Sequence, residues 1–278
     1  MSELWLLAQL IHPGPSLATT AAALGLALVF QVRLDGRLVL IGVTVLLTQL
    51  SISALNEWAD RWRDALANRR RPVAMGRIRP GAALGLAILF GVASLATANA
   101  FGWRSLLLVA AGLAAGWSYD LFLKPTAFSV VPFAIGFPLL ALWVAVAAGR
   151  PLHSPLILFV GGVPLAVAIH LADAIPDRKI DATAGLRTPA VVLPYPVAEI
   201  LAAVLLFVGI AVAYIGLWRS GHLGLPMLSP LSLGIIYLSL SIGRSFRFPE
   251  LARRLAKWSL IADAALVGVV LALIAAYA

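Results

Sequence analysis

Residues 37–64 read RLVLIGVTVLLTQLSISALNEWADRWRD, and this stretch decides the fold. From Leu38 to Leu55 it contains no charged residue and no proline. A helix needs ~20 mostly apolar residues to cross the ~30 Å hydrocarbon core of a bilayer, and the run 37–59 supplies them. Polarity then returns abruptly with Asn56, Glu57, Asp60, Arg61, Arg63 and Asp64. An uninterrupted apolar run closed by a dense polar end is the pattern of a helix leaving a membrane.

The same pattern recurs on both sides of this stretch. Apolar runs bounded by charge, proline or glycine cover about 14–32, 81–101, 104–119, 127–148, 154–174, 192–217, 226–243 and 256–277, which with 37–59 makes nine. The expected fold is therefore all-α, a polytopic membrane protein with nine transmembrane helices. Residues 1–278 read as a single transmembrane domain, because no long polar segment interrupts the runs. Residues 3–11, with Trp5 near the start, read as a short interfacial helix. Glu3 and the lack of Lys or Arg ahead of the first run exclude a signal peptide. Only 12% of residues are charged, against about 25% in soluble domains, which excludes a soluble globule. There is no cysteine, so disulfides, iron–sulfur clusters and thiolate zinc sites are excluded as well.

The net charge of +9 would suggest nucleic acid in a soluble protein; here its distribution reports topology. With nine spans and a cytoplasmic N-terminus, only Arg33, Arg37, Arg104, Arg150 and Arg219 of the 21 Lys and Arg fall outside. The others, from Arg61 through Lys257, fall on the cytoplasmic side. That asymmetry satisfies the positive-inside rule, so no nucleic-acid partner is expected. The location is integral to the membrane, expected to be a bacterial or archaeal cell inner membrane, with the C-terminus outside. Trp103, Trp117, Trp218 and Trp258 fall near span ends, as an aromatic belt requires.

The chain has only 12 acidic residues, and half of them sit in two short stretches. The first is Asn56-Glu57-Trp58-Ala59-Asp60-Arg61-Trp62-Arg63-Asp64, and the second runs Asp173-Ala174-Ile175-Pro176-Asp177-Arg178-Lys179-Ile180-Asp181. Each closes an apolar run on the cytoplasmic side. Residues four apart share a helix face, so Asn56, Asp60 and Asp64 form one stripe, extended back by Gln49 and Ser53, and Asp173, Asp177 and Asp181 form another. Like charges at this spacing repel, and a carboxylate near the membrane is costly. Oxygen ligands without sulfur suit a hard cation such as Mg²⁺, which takes one or two carboxylates and completes its shell with water and phosphate oxygens. Two such stripes facing each other would hold a metal-bridged diphosphate. A single DxxxD at a helix end is common, and Arg61 and Arg63 would serve as counter-charges for a solvated cap. Two copies ending two spans on one side argue for a site. Pro176 predicts a break in the second helix, and broken helices at membrane depth line polar cavities.

At these residues the sequence resembles the UbiA superfamily of intramembrane prenyltransferases. The first motif, Asn56/Asp60/Asp64, continues into Asn68-Arg69-Arg70-Arg71-Pro72 and Gly76-Arg77-Ile78, similar to the family's NRPxPxGRI run with one extra Arg. The second, Asp177/Asp181, is followed by Gly185-Leu186-Arg187-Thr188, similar to its GxRT ending. Tyr119 and Lys124 resemble the family's Tyr…Lys element after the fourth helix. The sequence departs from the family at Glu57, where many members carry Asp, and at His12-Pro13, where many carry Arg-Pro. It departs again at Asp173-Ala174, ahead of the second motif.

The resemblance implies nine helices around a central cavity open to the cytoplasmic side and transfer of a prenyl chain from an isoprenyl diphosphate to a lipophilic acceptor. It implies Mg²⁺ on Asp60, Asp64, Asp177 and Asp181, with Asn56, Arg71, Lys124, Asp173 and Arg178 binding substrate. Tyr119, with Trp58 or Trp62, would face the allylic cation. The partners implied are a polyprenyl diphosphate donor, an aromatic, quinone-precursor-like or other lipophilic acceptor, and the lipid bilayer. A glycerol lipid or a chlorin is the alternative acceptor, and a membrane terpene cyclase the alternative enzyme. A transporter would place its acids at the bilayer midplane. An alcohol phosphotransferase would need Asp-Gly and Ala-Arg ahead of the aspartates, which neither stretch has.

Four further features stand outside the motifs. His170 reads either as an acceptor-orienting group or, in the plainer reading, as a hydrogen-bonded interior histidine. Asp263 is a lone carboxylate within the last span. Asn99 is expected to bond between helices, and Gly112 and Gly116 form a GxxxG suited to close helix packing.

Overall fold

A computed structural model describes residues 10–66, 69–150, 156–221 and 249–277. Its helices are α1 (Pro13–Val29), α2 (Gly36–Leu66), α3 (Pro80–Asn99), α4 (Trp103–Ser118), α5 (Val131–Ala147), α6 (Leu156–Ala174), α7 (Arg178–Thr183), α8 (Pro189–Val192), α9 (Tyr195–Arg219) and α10 (Pro249–Tyr277). A π-helical turn, Tyr119–Leu123, continues α4, and a 3₁₀ turn, Ala127–Val130, leads into α5. Among the described residues there is no strand. Seven helices among the described residues are long and apolar enough to cross a membrane, matching seven of the nine expected runs. The run 14–32 becomes the 17-residue α1, ~25 Å long at ~1.5 Å per residue. The run 226–243, and the helix expected over 3–11 except for Leu10 and Ile11, lie outside the described residues.

Two compact units account for these elements. The first comprises residues 1–123 and 139–150, the second 124–138 and 151–278, with the division inside α5 falling next to Pro138.

In the first unit α2 packs on α1, α3 and α4. Its 31 residues span ~46 Å, so the helix does not stop near residue 59 but carries the whole Asn56–Asp64 stretch. Small side chains let the backbones approach, as helix packing in lipid requires. Ala23, Ala27, Ala54, Ala83 and Ala87 are fully buried, and a Cβ on Gly116 would collide with Ile52. Gly112, by contrast, faces open space, so only half of the GxxxG is a packing device. Hydroxyls supply the polar bonds between helices. Ser51 donates to the Ala87 carbonyl at 2.7 Å and accepts from Trp117 Nε1 at 3.2 Å, and Thr44 bonds Thr97 at 2.9 Å. Trp117 is thus turned inward and does not join the interfacial aromatics, and Thr97 takes the bridging role expected of Asn99, which is exposed.

In the second unit α6 packs on α9 and α10. Gly161 lies against Leu271, and Gly209 against Leu165. His170 on α6 is buried, with Nε2 3.2 Å from the Ser129 hydroxyl and its ring 4.2 Å from that of Phe133. That is the plainer of its two readings. Large apolar side chains elsewhere point outward, among them Ile88, Leu89 and Val92 on α3 and Ile200, Val204 and Val208 on α9. Such apolar surface is costly in water and natural against lipid. Trp103, Trp218 and Trp258 are exposed, near helix ends in the case of Trp103 and Trp218.

Candidate functional site

The first motif is built on the last turns of α2. Asp60 and Asp64 lie one turn apart, each only 5% exposed, so the solvated-cap reading does not hold. Each takes an arginine from the following residues. Arg63 Nη1 is 2.8 Å from Asp60 Oδ1, and Arg69 Nη1 is 3.5 Å from Asp64 Oδ1. Asn56, one turn earlier, donates from Nδ2 to Asp120 Oδ1 at 2.7 Å. Asp120 is buried in the π-helical turn and does more than mark the end of a span. Tyr119, the residue before it, is half-buried. A π turn adds one residue to a helical repeat and is frequent at functional sites.

Arg71 forms its ion pair with neither Asp60 nor Asp64, although its charge acts on Asp64 from nearby. Its Nη1 lies 3.4 Å from Oε1 of Glu57, a side chain 1% exposed, and the same oxygen takes His12 Nε2 at 3.0 Å. Two of the departures from the family pattern, Glu57 and His12, therefore meet. After Arg71 the chain folds back on itself. Met75 N bonds Arg71 O, and Arg77 N and Ile78 N both bond Pro72 O, with Gly76 at φ +69°. Val73 from this loop is buried with Leu10 and Ala83, so the arginine-rich run is a shaped loop and more than a topology anchor. Trp58 packs on the same cluster while Arg61 covers its ring at 4.4 Å. Trp62 is exposed.

The second motif straddles the break that Pro176 predicts. α6 ends at Ala174, Asp177 is the N-cap of α7, and Asp181 lies one turn on. The expected stripe Asp173/Asp177/Asp181 is therefore not one continuous helix face, because Pro176 cannot continue α6. Asp177 and Asp181 remain neighbours on α7. Asp173 stays on α6 and pairs with Lys257 of α10 at 2.5 Å. Arg178 donates from Nη2 to Val191 O at 3.1 Å, and Lys124 is half-buried. Asp263 is fully buried in α10, and neither of its oxygens has a hydrogen-bond partner among the described residues.

These donors fit a hard divalent cation of the kind the sequence suggests. Among the described residues no three His, Asp or Glu side chains form a ready metal cage. Mg²⁺ needs only one or two carboxylates when phosphate and water complete its shell, and each motif offers one pair.

A sequence model of the UbiA prenyltransferase family matches residues 16–261. The chain belongs to the UbiA prenyltransferase family. It is an intramembrane prenyltransferase, and this family stands behind the resemblance of both motifs. Among curated relatives, it is 27% identical over 211 residues to a digeranylgeranylglyceryl phosphate synthase of Korarchaeum cryptofilum, covering 75% of this chain and 70% of that one. It is 28% identical over 224 residues to the synthase of the same name from Halobacterium salinarum, covering 77% and 78%. Solved structures share the UbiA fold. One, from work on digeranylgeranylglyceryl phosphate synthase in membranes, matches with a TM-score of 0.79 at 15% identity over 98% of this chain and 99% of that one. A UbiA homologue from Archaeoglobus fulgidus bound to DMAPP and Mg²⁺ matches with a TM-score of 0.68 at 20% identity over 94% and 98%.

Proposed function

We propose that this UbiA-family chain transfers a prenyl group from an isoprenyl diphosphate to the hydroxyl of a glycerol lipid, in a Mg²⁺-dependent reaction. The observation that carries this reading is the shared name of its curated relatives, the digeranylgeranylglyceryl phosphate synthases of two archaeal organisms. It favours the glycerol-lipid alternative over the aromatic acceptor expected from the motifs. Asp60 with Asp64, and Asp177 with Asp181, would hold Mg²⁺, which when bound would supply charge neutralisation for the leaving diphosphate; the Mg²⁺ bound by the Archaeoglobus homologue supports a divalent cofactor here. Arg71, Lys124 and Arg178 contribute fixed positive charge to the diphosphate oxygens, and Asn56 and Asp173 border the same substrate. Tyr119 presents a π face to the allylic carbon as its bond to oxygen breaks. The acceptor hydroxyl oxygen forms the new C–O bond to the allylic carbon as that carbon's bond to the diphosphate oxygen breaks, and the hydroxyl proton leaves with the departing diphosphate. The chain acts as one domain of nine spans around a cavity open to the cytoplasm, with the N-terminus inside, in a prokaryotic cell membrane.

The test is an assay of membranes containing the protein, with radiolabelled isoprenyl diphosphate, Mg²⁺ and a panel of acceptors. An ether lipid formed only with a glycerol-lipid acceptor bearing a free hydroxyl is the expected product. Prenylation of an aromatic acid instead would overturn the choice of acceptor, and cyclic hydrocarbon formed without acceptor would overturn transfer itself.

A further inference from the structure

We infer that Glu57, braced by His12, is a positioning residue that holds Arg71 in place for the donor's diphosphate; this rests on the role proposed above for Arg71. Three acids on the last turns of α2 each meet an arginine supplied by residues 63–71, namely Glu57 with Arg71, Asp60 with Arg63 and Asp64 with Arg69. The three pairs differ in what becomes of them when substrate binds. A divalent cation on Asp60 and Asp64 competes with Arg63 and Arg69 for the same carboxylates. Glu57 is not one of the proposed metal ligands, so the tether on Arg71 persists.

The burial pattern supports a tether. Glu57 is 1% exposed, whereas the Arg71 side chain is 39% exposed, so a buried anchor holds a partly exposed guanidinium close to Asp64, on which its charge acts. The anchor is itself fixed from a distant part of the chain. His12 contributes Nε2 to the same Oε1 at 3.0 Å, while Glu57 Oε2 has no hydrogen-bond partner among the described residues. His12 Nε2 and Arg71 Nη1 lie 3.4 Å apart. One ring nitrogen cannot donate to Glu57 and accept from Arg71 at once, so the carboxylate takes the ring hydrogen and orients both neighbours. His12 is delivered in a left-handed backbone conformation, φ 44° and ψ 66°, immediately before Pro13. A non-glycine residue adopts that conformation only where its surroundings over-determine it, a situation concentrated at functional sites. Ser16 supplies part of that determination by bonding the Ile11 and His12 carbonyls.

The inference is tested by titrating purified protein and Mg²⁺ with a non-reactive thiolo analogue of an isoprenyl diphosphate, which needs no acceptor. Glu57→Gln should weaken binding by about 10-fold or more in the otherwise native protein and by less than about 2-fold in an Arg71→Ala background, since residues acting as one unit are non-additive. His12→Gln, which keeps a side-chain N–H for Glu57, should bind better than His12→Ala. If Glu57→Gln does not fold, Glu57→Asp replaces it in the same cycle. Equal binding by native protein and the Glu57 variant, or the same loss with and without Arg71, overturns the positioning role while leaving the enzyme's function intact. No binding by the native protein overturns both.

Discussion

Asn56 donates a 2.7 Å hydrogen bond to Asp120, joining the start of the first aspartate motif to the π-helical turn that begins with Tyr119. A half-buried amide is thereby held by a buried carboxylate. Asp120→Ala leaves that amide without its acceptor, at a cost of about 1–3 kcal/mol. Asp120→Asn keeps an acceptor oxygen of the same shape and should retain most of the stability. Unfolding of the two variants in detergent, compared with their turnover, checks this. Equal stability of both variants would show that the bond does not hold Asn56.

Asp60→Asn and Asp177→Asn should each lower turnover by at least about 100-fold, because electrostatic stabilisation of developing charge contributes more to catalysis than most other effects. Both proteins should remain folded. Arg63 is 37% exposed and can be solvated without Asp60, and Asp177 is a helix N-cap with no side-chain capping bond, a position where Asn serves as well as Asp. Turnover by the radiolabel assay and circular dichroism together test this, and near-normal activity in either variant removes the metal-site proposal.

Chelation should abolish activity without unfolding the protein. Mg²⁺ held by one or two carboxylates and completed by water and phosphate would contribute little to folding, unlike the closed protein cages of zinc fingers. The melting temperature in EDTA should stay within about 2 °C of that in Mg²⁺, a smaller shift than the ~2–4 °C expected for 1 kcal/mol in a protein of this size. Adding back Mg²⁺ should restore turnover.

Two glycines of one motif should respond with opposite sign. A Cβ at Gly112 meets nothing within 4 Å, whereas one at Gly116 collides with Ile52. Gly112→Ala should stabilise α4 by about 0.5–1 kcal/mol, and Gly116→Ala should destabilise by about 1–3 kcal/mol through overpacking. Denaturation in mixed micelles reads both signs.

Whatever depends on local spacing is legible in the sequence. Apolar run lengths locate the helices, and four-residue spacing puts Asp60 and Asp64 on one face. Pro176 locates the break between α6 and α7. Features made by long-range or irregular geometry are not legible. Glu57 meets His12 across 45 positions, and no periodicity links them. Asp120 looks like the end of a span until the π turn changes the helical register by one residue. Thr97 and Asn99 are equally plausible bridging residues by type, and only the rotation of α3 against α2 selects Thr97. Proximity to a span end suggests an interfacial ring at Trp117, but packing decides otherwise through its hydrogen bond to Ser51. The second carboxylate stripe fails for a related reason, since the proline that marks the break also interrupts the face that Asp173 would share.

The length of α2 has one further consequence. Its uncharged stretch, Leu38 to Leu55, covers ~27 Å at ~1.5 Å per residue, close to the thickness of the hydrocarbon layer. Asn56 to Asp64 therefore begin where a run of that length would leave the hydrocarbon layer. An amphipathic donor can leave its tail in oil and its ionised head in water while both ends touch the same helix. In the proposed reaction the released diphosphate would already face the polar side, with no low-dielectric layer to cross before the next turnover.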